Sequence, residues 1–106
     1  MADRGQGNVD SIVALEALGR LLTVAQGSSG QSAKVATFLL AWHNAEENGC
    51  WSPVDLWQLD TVICDDVLLV LRLVAQEHRY PDDLGFGLEI ANVWHLWRGP
   101  TFQVKL

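Results

Sequence analysis

Apolar residues recur at spacings of three and four along most of this chain. Ile12, Leu15, Leu18, Leu22 and Ala25 form the first such stripe, the signature of an amphipathic helix with one buried face. Asp10 stands where an N-cap belongs and Gly27 where a helix stops. Gly19 lies inside the stripe. A glycine there costs up to about 1 kcal/mol relative to alanine, which points to a close helix crossing. Ser28 and Gln31 have capping-box spacing. They predict a second helix with Val35, Phe38, Leu39, Trp42 and Ala45 on one face, ending near Asn48-Gly49.

Ser52-Pro53-Val54-Asp55 combines a cap, a proline suited to the first helical position and a closing carboxylate. It predicts a short third helix carrying Leu56 and Trp57. From about Asp60 to Arg79 a fourth helix is apolar nearly all round, and a helix of that kind is central and meets several neighbours. Its polar strip is Thr61, Asp65, Arg72 and Gln76. Asp66 aligns with Val62, Leu69 and Leu73. It is therefore expected to be partly buried, where a carboxylate usually meets an arginine or a tryptophan N–H. Tyr80-Pro81 ends that helix, since the residue before proline avoids the α region. Residues 82–87 read as a loop, and a fifth helix runs from about Phe86 to Trp97 with Ile90, Val93, Trp94 and Trp97 inward. The fold class is all-α: a compact single-domain bundle of about five helices with a central apolar helix. The organisation is a flexible N-terminus over 1–9, the helical domain over 10–99 and a C-terminal tail over 100–106.

At 106 residues the chain is one domain. A domain of this size buries roughly 65% of its unfolded surface, enough to fold without a metal or a disulfide. With 49% apolar and 19% charged residues it is globular rather than disordered. The lead-in to the first apolar stretch is polar and acidic, with no basic leader pattern. The most apolar run, Val67 to Ala75, is too short to span a bilayer. These features predict a soluble, cytoplasmic protein. Cys50 and Cys64 have no metal-ligand spacing, and Cys64 reads as a buried thiol among Val62, Ile63 and Val67.

Charge changes the picture more than composition does. The net charge is −6, and the segment from Glu46 to Glu89 carries −8 by itself. Trp42, Trp51 and Trp57 lie in or beside that segment. Carboxylates near large aromatics suit a basic protein surface and repel nucleic-acid phosphates and anionic lipid. The expected partner is therefore a basic protein surface, with neither direct nucleic-acid binding nor a membrane. The residues expected to bind it are Glu46, Glu47, Trp51, Asp55, Asp82 and Asp83. Trp51 has two readings: a hydrophobic staple for the third helix, or an exposed anchor. Trp42, Trp57, Trp94 and Trp97 fall on apolar stripes and read as core.

Enzymatic chemistry has little support. No Gly-x-Ser-x-Gly and no glycine-rich phosphate loop is present, and the three histidines are dispersed. No cofactor is implied. The alternative reading is a metal-binding protein or small metal-dependent enzyme. On a continuous helix His43 faces Glu46 and Glu47, with Asp65 or His78 as further ligands. Two acids in the last turn of a helix also oppose its dipole, at up to about 1 kcal/mol each, a cost that an outside cation or a basic partner would offset.

The stretches L-L-A-W-H-N-A-E-E (Leu39 to Glu47), D-L-W-Q-L-D (Asp55 to Asp60) and Y-P-D-D-L-G (Tyr80 to Gly85) resemble a family of small uncharacterised bacterial proteins encoded on mobile genetic elements. The resemblance covers about residues 12–98. It implies a bacterial cytoplasmic protein with an accessory role: blocking host defence, regulating transfer or helping assemble a complex. Its motifs are helix faces and caps, so no functional residue carries over. Self-association is the remaining expectation. Trp94, Leu96 and Trp97 on the fifth helix, with Phe102, Val104 and Leu106 in the tail, suit the seam of a two-fold homodimer.

Overall fold

A computed structural model of the chain describes residues 10–99, so the tail residues Phe102, Val104 and Leu106 lie outside the described part. The elements are α1 (Ser11–Ala25), α2 (Gly30–Asn48), α3 (Thr61–Glu77) and α4 (Gly87–Arg98), with short 3-10 helices at Pro53–Gln58 and Pro81–Leu84. All five helical segments expected from periodicity are present, the third as a 3-10 helix. The fold is a single all-α domain, and the Asp82–Gly87 loop contains part of a further 3-10 turn.

Helix α1 is the element the others share: α2, α3 and α4 all pack against it. Asp10 caps it, its carboxylate accepting the Ile12 N–H at 2.9 Å. Ala14, Ala17, Leu18, Leu21, Leu22 and Ala25 are buried along its length, whereas Ile12 is 68% exposed. Small residues among the leucines let neighbouring helices approach from more than one side. Helix α3 buries one face through Asp66, Val67, Val70 and Leu73, and α1 is its principal neighbour. Val62 and Leu68 on its other side are exposed. Its apolar character therefore exceeds what the core uses.

Two caps differ from expectation. Helix α2 is capped by Ser29, whose hydroxyl accepts the Ser32 N–H at 3.0 Å, one residue later than the predicted Ser28. Gln31 serves a different helix. Its amide oxygen accepts the Asp60 N–H and its Nε2 donates to the Asp60 carboxylate, at 2.6 and 3.0 Å, which pins the start of α3 to the start of α2. The Ser52–Asp55 box does not form. The Ser52 side chain makes no capping bond, and Asp55 turns to Lys34 Nζ at 3.3 Å. The Lys34 ammonium on α2, 21 positions away, holds that carboxylate in place of a local N–H.

Gly19 does not mark a close crossing, since a Cβ built there meets nothing within 4 Å. Gly19→Ala should therefore stabilise the domain by about 0.5–1 kcal/mol through helix propensity and a less flexible unfolded chain. Chemical denaturation checks this, and a loss of stability would show that the site is crowded. Gly99 is the opposite case. A Cβ there would lie 2.8 Å from His95 Cα and 2.9 Å from its carbonyl oxygen, so the chain leaves α4 where only glycine fits.

Candidate functional site

The acidic end of the molecule is made by a break in α2. Asn44 has extended backbone angles (φ −166°, ψ 91°), and its side-chain oxygen accepts the Glu47 N–H at 3.2 Å. Asn44 thus caps a separate final turn, Ala45 to Asn48. Glu46 and Glu47 fall in the first turn of that piece, where backbone N–H groups favour carboxylates, rather than in the last turn of a long helix. The expected clash with the helix dipole is absent, and neither an outside cation nor a basic partner is needed to relieve it. Both glutamates are exposed.

Asn48 holds this turn in place and is buried. Its Nδ2 donates to the Leu40 carbonyl at 3.1 Å, and its Oδ1 accepts the Trp94 indole N–H at 3.1 Å. Its backbone carbonyl accepts from Arg98 Nε at 3.1 Å. Trp97 donates its indole N–H to the Ala25 carbonyl at 2.7 Å. Trp94 and Trp97 thus anchor α4 within the fold, while Leu88 and Leu96 are the large apolar residues it leaves exposed.

His43 sits at the centre of the acidic end. Its Nδ1 lies 3.7 Å from Asp82 Oδ1 and has no hydrogen-bond partner among the described residues. One recess of about 440 Å³ runs from His43 to Glu46 and Tyr80. Another, of about 210 Å³, runs from His43 to Glu47, Trp94 and His95. Asp82 and Asp83 lie in the 3-10 helix that starts at the buried Pro81. The Asp83 carboxylate accepts the Tyr80 N–H at 3.2 Å. Glu46, Glu47, Asp82 and Asp83 therefore share one end of the molecule.

Trp51 and Asp55 belong elsewhere. Trp51 is half-buried, its ring edge-on to Phe38 at 5.1 Å, and Asp55 is occupied by Lys34. Trp51 instead helps wall an apolar groove of about 290 Å³ between α2 and α3, with Phe38, Ala45, Leu71 and Val74. Ala41, Trp42 and Ala45 line both this groove and the recess that reaches Glu46, so the two adjoin. Trp42 is fixed between them, donating its indole N–H to the Arg79 carbonyl at 3.0 Å.

The metal reading finds no converging ligands: among the described residues no group of three His, Cys, Asp or Glu side chains is placed to hold an ion. The break at Asn44 spoils the register that would stack His43 on Glu46 and Glu47. His78 lies at the end of α3 with its Nε2 3.0 Å from the Ala75 carbonyl oxygen. Asp65 is on the exposed face of α3. Asp66 is structural in the expected way. It receives Arg20 in a fork, Nε at 3.0 Å and Nη2 at 2.9 Å, and this hydrogen bonding holds the Arg20 pKa above its ordinary value. Cys50 and Cys64 are free thiols, exposed and half-buried.

Periodicity misplaced Trp57, as it did Ile12 and Ala45 on their stripes. Trp57, read as core, is 84% exposed, with Val54 exposed nearby. A six-residue 3-10 helix has three residues per turn and too little length for a buried stripe. The available signal was its confinement between Pro53 and Asp60.

A model of a family of unknown function, DUF7673, matches residues 15–98, and the chain belongs to that family. No curated protein and no solved structure matches it. Among the described residues no helix is long and apolar enough to cross a membrane.

Proposed function

We propose that this family member is a small acidic, non-enzymatic interaction protein whose acidic end docks on the basic surface of a nucleic-acid-binding protein. It acts as an accessory or inhibitor of that partner, in the cytoplasm of a bacterium, within a host-defence or transfer system of a mobile element. One observation carries the reading. Glu46, Glu47, Asp82 and Asp83 gather at one end with no lysine or arginine ion-paired to them among the described residues, and an apolar groove adjoins them. Clustered carboxylates repel one another, and a cationic surface relieves that repulsion. Their charge suits a surface that otherwise holds phosphates. The groove accommodates apolar side chains of the same partner and supplies the desolvated centre that an exposed charge cluster lacks.

The test begins with capture from the native host and proceeds with the purified captured protein. Glu46→Lys, Glu47→Lys and Asp82→Lys together should weaken its binding by about tenfold or more while circular dichroism shows the helical fold retained, with only a small fall in melting temperature from placing cations in first turns. Asp83 is left intact, since it caps the Tyr80 amide. Rising salt should weaken the parent complex, and nucleic acid should compete for the partner. Binding that is indifferent to salt and to the triple reversal would overturn the proposal.

A further inference from the structure

We infer that the outward face of α3 is a self-recognition seam, on which two copies of this chain pack antiparallel about a two-fold axis. Successive residues of a helix turn by about 100°, so Val62, Asp65, Leu69 and Arg72 fall along one side of α3 with Leu68 beside them. This is the side α1 does not cover. Val62 is 70% and Leu68 50% exposed, and Asp65 and Arg72 are exposed. Asp65, Leu68, Leu69 and Arg72 border a shallow surface groove of about 510 Å³.

The charges select the occupant. Among the described residues neither Asp65 nor Arg72 has an ion-pair partner. Asp65 precedes Leu68 by three residues and Arg72 follows Leu69 by three. A two-fold axis crossing α3 between the leucines therefore sets Asp65 of each copy opposite Arg72 of the other and stacks the leucine pairs between them. A closed two-fold dimer needs such a self-complementary patch. A parallel arrangement would set like charges opposite each other and bring the acidic ends together. The antiparallel one separates those ends by roughly the 25 Å length of a 17-residue helix. The apolar surplus of α3, beyond what α1 covers, then has a physical role.

Sedimentation equilibrium of the full chain is the experiment. The mass should rise from 11.7 kDa toward twice that value between about 1 and 500 μM, the range suited to a one-helix seam. Asp65→Arg alone and Arg72→Asp alone should each weaken dimerisation by about tenfold or more, by facing like charges twice per dimer. The double variant should restore it. Circular dichroism should show all three folded, since both positions are solvent-exposed. A mass fixed at 11.7 kDa throughout would overturn the inference. So would a double variant as weak as the singles, or a dimer lost on Leu96→Glu in α4 and untouched by Leu68→Glu in α3.

Discussion

Leu21→Ala is expected to lower the stability of the domain by about 2–5 kcal/mol, the range for emptying a fully buried leucine site. Leu21 is 0% exposed and sits on α1, against which α2, α3 and α4 all pack. Leu21 belongs to the core to which all four α-helices contribute, so a helix that moved to close a void there would open other contacts. The loss is a large share of the roughly 5–15 kcal/mol that holds a typical domain folded. Leu68→Ala is the paired control. Half of that side chain is already in water, so it should cost no more than about 1 kcal/mol at concentrations where the chain is monomeric. Urea denaturation should show a lower midpoint for Leu21→Ala with an unchanged slope. Equal losses at the two leucines would contradict the placement of α1 at the core.

Asn48→Ala should be the next most damaging change, at about 2–4 kcal/mol, since each buried polar group left without a partner costs about 1–3 kcal/mol. The substitution strips the Leu40 carbonyl of its side-chain donor and the Trp94 indole N–H of its acceptor. Leu40 is 0% exposed, so water reaches that region poorly. A fall in melting temperature of about 10 °C or more follows from the size of the domain. Asn48→Asp separates the two bonds, because a carboxylate still accepts from Trp94 but cannot donate to Leu40. An intermediate loss is expected for Asp. A stability unchanged by either substitution would mean that Asn48 does not join the last turn of α2 to α4.

Much of the helical layout was legible because each helix writes its own period into the sequence. Ile90 and Val93 were placed inward from spacing alone, and they are buried. Asp10 was identified as a cap and is one. Asp66 was expected to meet an arginine or a tryptophan, and it meets Arg20 from 46 positions away. Local rules failed where a long-range partner competed for the same atoms. Gln31 went to Asp60 rather than its own helix, and Asp55 went to Lys34.

The candidate site was less legible. Charge counting marked the segment rich in carboxylates but could not say which of them meet. The break at Asn44 is invisible to periodicity, because Leu39, Trp42 and Ala45 continue the stripe across it. That break sets the direction of the turn bearing Glu46 and Glu47. The Pro81–Leu84 turn then brings Asp82 to His43 across 39 positions of sequence.

The sequence by itself therefore determined the all-α class, the rough extent of the four α-helices, and the acidic character of residues 46–89, since these depend on residue type and local spacing. The tertiary structure decided that α1 is shared by the other helices, that α3 keeps an uncovered apolar face, and that Glu46, Glu47, Asp82 and Asp83 share one end while Asp55 and Trp51 do not. Those outcomes depend on which of several chemically equivalent partners lies within reach once the chain has folded. A period or a composition carries no record of that distance.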